Sequence, residues 1–547
     1  MDRSHLLQHF DDLANAPDVV AKLRSLVLDL AIRGNLVSQD LADLPAQRLF
    51  DLASAERGEK RSKRQATGED GAGGAPFDLP KNWCWTSLEA IGDTAPRNDL
   101  PDDSEVGFSP MRLIPIKFGE PVSFETRTWA EVRKGFTHFA EGDVVLAKIT
   151  PCFQNGKSAV IRNAPGGHGA GTTELHVFRP VSGCVLPEFV LIFLKSPHFL
   201  LSGEAHMTGT AGQKRIPWDY FARTLFPLPP LAEQKRIVAK VEELLELCDE
   251  LEARQTAARE HRIRLVRSAF DHLTSAATPT DFRRHAAFVL KEFPHLTAIV
   301  DAIPTLRQAI LSLAVQGHLV PQDPTDEPAE SILRATRTLF EHLAAEKKIS
   351  TPKPLAPINA DEVPFILPGG WAWCRLGQII RIASGDGLTA EDMKEGTVPV
   401  YGGNGVNGHH DKYNVGKRTL VIGRVGFYCG SIHLTPDKAW VTDNAFITTF
   451  SEDHLAIAFL VWLLKATDLR ERDNATAQPV ISGSKIYPTI LAIPPLAEQK
   501  RIVAKVEELM RWCDQLEAQL TGARRSAENL LDATVAQLTS ARNGETR

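Results

Sequence analysis

Two long stretches of the chain repeat an apolar position alternately every four and every three residues. The first runs through Ile237, Val241, Leu244, Cys248 and Leu251, the second through Ile502, Val506, Leu509, Cys513, Leu516, Leu520, Ala523, Ala527 and Leu530. That period predicts helices with one continuous apolar seam. Each opens on a Pro-Pro pair that suits a first helical turn, with Glu233 or Glu498 near the positive end of the dipole. A helix from Leu231 to about Phe270 would be roughly 60 Å long, well beyond the needs of a single core. Elsewhere the pattern changes. EGDVVLAKITPCF from Glu141 and RTLVIGRVGFYCGSI from Arg418 are short apolar runs broken by Gly and Pro, which predict strands. Phe189–Lys195 (FVLIFLK) and Phe459–Lys465 (FLVWLLK) predict one buried helical segment in each region.

The chain is written twice. PPLAEQKRIVAKVEEL occupies Pro229–Leu244 and recurs unchanged at Pro494–Leu509, 265 positions later. LRSLVLDLAIRGNLVSQD from Leu23 matches LRQAILSLAVQGHLVPQD from Leu306, an offset of 283. Fainter matches keep the same order: LPKNWCW from Leu79 with LPGGWAW from Leu367, and VVLAKI from Val144 with LVIGRV from Leu420. Each half is thus a helical lead-in, a globular middle and a helical exit. Polar stretches rich in Gly or Pro, 56–76 and 346–364, read as exposed linkers. The expected fold class is α+β, with two mixed α/β domains separated by long helices in an internal pseudo-twofold repeat. The expected boundaries are a helical region 1–60, a linker 61–76, a domain 77–228, a helical spacer 229–345, a linker 346–364, a domain 365–493 and a final helix 494–547.

The 547 residues carry 62 Lys and Arg against 68 Asp and Glu, a formal charge of -6, so any DNA-binding surface must be local. Seven scattered cysteines without a C-x-x-C pair indicate neither a disulfide framework nor a zinc ribbon and fit a reducing cytoplasm. The amino terminus lacks an apolar signal core, and the longest apolar run, Leu455–Leu464, is too short to span a bilayer, so neither export nor membrane insertion is expected.

Catalytic motifs fail on their context. Gly403–Gly408 has G-x-G-x-x-G spacing, but HHDKYNVGK follows it in place of an apolar helix. Asn155-Gly156-Lys157-Ser158 lacks the upstream glycine of a P-loop, because residue 151 is proline. No Asn-Pro-Pro-aromatic or Asp-Pro-Pro-Tyr run occurs, so methyl transfer to a flipped base is not expected of this chain. His409-His410 reads as a polar loop and no metal site is expected.

Binding candidates come from the repeat. Lys148 and Arg424 stand at equivalent places on matching strands, and Arg215, with Gln213 and Lys214 before it, is set against Lys485, with Ser482 before it. Cations beside Gly and Ser suit phosphates, whereas residues that differ between the domains suit different targets. Trp83/Trp85 and Trp371/Trp373 read as packing where the chain enters each domain, and Lys60–Arg64 as a solvated linker. On the exit helices Glu233, Lys235 and Arg236 recur as Glu498, Lys500 and Arg501, as do Lys240, Glu242 and Glu243. Two matching outer faces would dock two copies of one partner, and two diverged middles would read two different things, which is the logic of an adaptor.

The order of LRxxxLxxAxxGxLVxQD, a variable domain and PPLAEQKRIVxKVEEL, repeated over nearly the whole chain, resembles the specificity subunit of Type I restriction-modification enzymes. The resemblance implies two target-recognition domains, each reading one half of a bipartite DNA site, held apart by an antiparallel pair of helices that sets the half-site spacing. It implies a non-catalytic chain in a complex with two methyltransferase subunits and two motor-nuclease subunits, which would use S-adenosylmethionine, and ATP with Mg. Because the chain also begins with a helical block, 13–53, the N-terminal helix is expected to pair with the C-terminal one and the two central helices with each other. Two other readings are a recognition subunit for a fused methyltransferase-nuclease, which its partner gene would identify, and a coiled-coil scaffold without DNA affinity.

Overall fold

The computed structural model describes residues 18–57, 75–210, 212–426, 428–470 and 480–540. Most of the 61–76 linker and the cluster Lys60–Arg64 lie outside them. The chain forms two compact units, 1–258 with 524–547 and 259–523.

In the first unit, α1 (Val19–Ile32) and α2 (Ala46–Arg57) lead into β1 (Cys84–Thr86), α3 (Leu88–Ile91) and β2 (Gly92–Asp93). There follow β3 (Glu105–Ser109), β4 (Glu125–Thr128), α4 (Trp129–Val132), β5 (Thr137–Ala140), β6 (Val144–Ala147), β7 (Ser158–Val160), β8 (His168–Gly171) and β9 (Leu175–Pro180). Helices α5 (Pro187–Lys195), α6 (Pro197–His206) and α7 (Trp218–Arg223) and strand β10 (Phe226–Leu228) precede α8 (Leu231–Thr274), which begins in this unit and ends in the other.

The second unit contains α9 (Pro279–Leu296), α10 (Ile303–Val315), α11 (Ala329–Ala345), β11 (Ala372–Arg375), α12 (Leu376–Ile379) and β12 (Arg381–Ser384). Strands β13 (Val398–Gly402), β14 (Gly405–His410), β15 (Leu420–Gly423), β16 (Ile432–Leu434), β17 (Trp440–Val441) and β18 (Ala445–Thr449) come next. Then α13 (Ile457–Ala466), α14 (Gly483–Ile486) and β19 (Ile490–Ile493) lead to α15 (Leu496–Ser540), which begins here and ends in the first unit.

The two middles share one topology although their sequences have drifted apart. A sheet ordered β2-β9-β6-β7 in the first is matched by β12-β18-β15-β16 in the second. A second sheet, β4-β3-β8-β5, is matched by β14-β13-β17, and in each a central strand has one antiparallel and one parallel neighbour. The pairs β1-β10 and β11-β19 close each domain beside its exit helix. The apolar runs behave as their patterns predict: β6 and β15 are buried throughout, and α5 and α13 pack within the cores. The edge strand β5 of the first middle is answered in the second by a single antiparallel bridge between Val415 and Ala439.

The seam is shared more widely than a two-helix pairing. Ile237, Val238 and Val241 of α8 pack with Val27, Leu28, Ala31 and Ile32 of α1, so each lead-in helix lies on the exit helix of its own half. Arg24 joins Asp249 and Glu252, and Arg307 joins Asp514 at 2.5 Å and Glu517 at 2.8 Å. The expected pairings are present beside these: Lys22 meets Asp532 of α15 at 2.5 Å, and Gln316, just past α10, donates to the Thr274 carbonyl of α8 at 2.9 Å. The expectation was incomplete because the seam of an exit helix is wide enough for a lead-in helix as well. The stretch 346–364 is largely exposed, yet it is pinned. Buried Arg375 donates to the Ala356 and Pro357 carbonyls at 2.7 and 3.0 Å and pairs with Glu362 at 3.0 Å.

Candidate nucleic-acid interface

The identical blocks build a latch. Gly34 ends α1 with φ +71°, and a Cβ there would sit 2.4 Å from Pro80 Cγ; Gly317 repeats this with φ +75° and 2.5 Å from Pro368 Cγ. Glu233 is buried, accepting from the Trp83 indole at 3.0 Å and the Gln39 amide at 2.6 Å. Glu498 does the same with Trp371 at 3.1 Å and Gln322 at 3.2 Å. Arg236 pairs with Asp43 and Arg501 with Asp326, both at 2.7 Å. Gln234 and Gln499 accept from the Leu186 and Ala456 amides at the start of α5 and α13. Burial raises the carboxyls of Glu233 and Glu498 above their ordinary value, and the tryptophan and glutamine hydrogen bonds oppose the rise.

This corrects the reading of the repeated outer faces. Glu233 and Glu498 are buried, whereas Arg236 and Arg501 stay part-exposed, each paired with an aspartate of its lead-in. Glu233 lies four residues before Ile237 and eight before Val241, on the seam itself, and that spacing was the signal for its burial. Lys235 and Lys500 are exposed, on a stripe with Ala232, Ala239 and Glu242 that recurs as Ala497, Ala504 and Glu507. The tryptophan pairs pack as expected: Trp83 and Trp371 close the latch, while Trp85 and Trp373 meet Phe77 and Phe365 at 4.9 and 4.8 Å.

Beyond the ends of β6 and β15 the domains place the candidate cations alike. Lys148 N donates to Glu174 O and its carbonyl accepts from Ile216 N, each at 2.9 Å. Arg424 repeats both bonds with Asn444 O at 2.9 Å and Ile481 N at 3.0 Å. Lys148 and Arg424 are therefore structural equivalents. The same bonds set Ile216 against Ile481, so Arg215 corresponds to Val480, not to Lys485, and Gln213 to Gln478, which lies outside the described residues. Lys485 belongs instead to α14 and donates to the Val480 carbonyl at 2.7 Å. In the second half the structurally matching Ile481 follows Val480, while the pair of a cation and an isoleucine lies five residues on at Lys485-Ile486, so sequence alone favours the wrong isoleucine.

In the first domain Thr208 and Arg215 exchange backbone hydrogen bonds at 2.8 and 3.0 Å, and Thr150 N donates to Lys214 O at 2.9 Å. The result is a narrow loop, tied to the Lys148 strand, whose described residues from Thr208 to Lys214 are exposed. The side chains of Gln213 and Lys214 have no partner among the described residues, and Lys148 is half-buried beside them. Arg215 is less available than expected: its guanidinium grips Glu174 at 2.8 Å and holds that carboxyl below its ordinary value. Beneath the loop the buried His176 ring stacks on Phe221 at 4.8 Å and meets the Ile216 carbonyl at 3.1 Å, and burial pushes its pKa down to about 4.

In the second domain Arg424 Nη1 donates to Ser384 Oγ at 3.2 Å and to the Asp443 carbonyl at 3.3 Å, and its guanidinium lies over Phe446. Ser482 is half-buried just before α14, its hydroxyl 2.9 Å from that of Ser484. The Gly403 loop is a tight hairpin turn between β13 and β14, with the Gly403 carbonyl accepting from Ser431 Oγ at 2.7 Å, so its glycines serve close approach within the chain. His410 is buried and accepts from Lys394 N at 3.0 Å.

Known proteins are similar to this chain. The family described as "Type I restriction modification DNA specificity domain" matches residues 368–522. The specificity subunit of the type I restriction enzyme EcoAI of Escherichia coli is 34% identical, covering 94% of this chain and 93% of its own length. That of EcoEI, also from Escherichia coli, is 34% identical with the same coverage. The crystal structure of the HsdS subunit from Thermoanaerobacter tengcongensis is 20% identical, with a TM-score of 0.43 over 84% of this chain and 97% of that one. The chain belongs to the specificity subunits of type I restriction enzymes, the subunits of restriction-modification systems concerned with DNA sequence recognition.

Proposed function

We propose that residues 77–228 and 365–493 are target-recognition domains that each read one half of a bipartite DNA site, while α8 and α15 set the spacing between the halves. The observation that carries this reading is the shared backbone frame around Lys148 and Arg424: one scaffold, repeated, presents different side chains. In the first domain Lys148, Gln213 and Lys214 contact DNA, with Arg215 at the edge of that surface. In the second, Arg424, Ser482 and Lys485 do so. Cations on a fixed frame hold phosphates and leave base reading to the residues that differ. The chain itself is non-catalytic. The exposed stripes around Lys235 and Lys500 dock two copies of a methyltransferase subunit, and two motor-nuclease subunits complete the enzyme. S-adenosylmethionine, and ATP with Mg, serve those partners in the cytoplasm. DNA from a host expressing this chain with its methyltransferase, sequenced with methylation sensitivity, should carry a gapped two-part methylated motif that disappears when the chain is omitted. A motif that persists without the chain, or never forms, overturns the reading.

A further inference from the structure

Lysine is almost never fully buried without a carboxylate partner, yet Lys195, the last residue of α5, is 8% exposed and has none in contact among the described residues. Its ammonium donates to two backbone carbonyls, Ile116 O at 2.6 Å and Gly156 O at 2.8 Å, from segments distant in sequence. The second segment leads straight to the candidate DNA surface: Lys157 O accepts from Ala147 N at 2.9 Å, beside Lys148, and Thr150 N is bonded to Lys214 O. The repeat supplies a contrast. Lys465 holds the matching place at the end of α13, but it is exposed and lies over Trp462.

We infer that Lys195 is a positioning residue for the first recognition domain: its buried ammonium ties the Ile116 and Gly156 loops together and fixes the strand ends that carry Lys148 and Lys214. The inference rests on the proposed reading of that surface. Among the charged groups around it, Glu120 alone favours its charge, while burial pushes its pKa down to about 7. Lys157 is turned to the Met111 carbonyl, Arg112 to Glu125, and His198 lies edge-on to Phe77. Loss of the proton near neutrality takes the charge from both carbonyl ties and weakens them.

A purely structural role and a positioning role then differ in sign. Because the unfolded chain holds this proton up to its ordinary lysine value, this group makes folding more favourable as pH rises above 7. DNA affinity should move the other way. The test is binding of the methyltransferase-loaded complex to its bipartite DNA between pH 6 and pH 8.5, with single mismatches placed in either half. Because deprotonation loosens the frame on which that domain's base readers stand, rather than a single phosphate contact, the mismatch penalty in one half should shrink by roughly tenfold as pH rises, the worth of about one charge-assisted hydrogen bond, while the penalty in the other stays constant. Lys195→Met should show the high-pH behaviour throughout, and Lys465→Met should change nothing. Constant penalties in both halves, measured on the unaltered chain, would overturn the inference without touching the proposed function. Failure to bind a bipartite site at any pH would overturn the function itself.

Discussion

The indole N–H of Trp371 donates to the buried carboxylate of Glu498 at 3.1 Å across 127 residues of chain, joining the start of the second domain to the start of its exit helix. Trp83 and Glu233 repeat the bond at 3.0 Å. Glu498→Ala strands the Trp371 and Gln322 donors, and each half should lose about 2–4 kcal/mol by its own Glu→Ala change, read by denaturant titration. Gly317→Ala should cost at least about 1 kcal/mol, because its positive φ and the nearby Pro368 leave no room for a methyl group. The raised carboxyls also set a sign. A group whose folded value is raised lends stability that is full below its unfolded value and is lost as pH rises through the folded one. Glu498→Gln should flatten that mildly acidic slope.

His176 titrates with the opposite slope. Its folded value of about 4 lies below the ordinary 6.5, so its contribution is present above pH 6.5 and disappears as pH falls towards 4. The first unit should lose about 3 kcal/mol across that window, and His176→Gln should lessen the loss. Equal acid sensitivity in the variant would contradict the assignment.

Lys214 is a phosphate contact in the proposed reading. Lys214→Ala should weaken binding evenly across DNA sequences and lower the salt-dependence slope by about 1, with the methylated motif unchanged. Glu174→Gln should release Arg215 and strengthen non-specific binding by a few fold. A change of motif in either variant would make these residues base readers.

Lys235→Glu and Lys500→Glu each reverse a charge on one exposed stripe and should each remove one methyltransferase copy, as seen by native mass spectrometry, without lowering thermal stability. Loss of neither copy places the docking surface elsewhere.

The long helices, the doubled plan and the strands β6 and β15 were legible because period and repetition are local properties of the sequence. The inward direction of Glu233 is legible in principle, since it shares the seam with Ile237, but charges that match on both helices read equally well as an outer face. The register between Lys148 and its neighbour was not legible: the segments joining Lys148 to Ile216 and Arg424 to Ile481 differ in length, and only the backbone bonds of the folded chain select Ile481. The capture of Arg215 by Glu174, 41 residues away, likewise depends on tertiary placement.

The most direct test of the account exchanges residues 365–493 for the corresponding domain of a relative with a different methylated motif and maps methylation in cells that carry the methyltransferase. The account predicts a motif with one half replaced and the other half and the gap length kept. A motif altered in both halves, or in its spacing, would contradict two independent reading heads on one helical ruler.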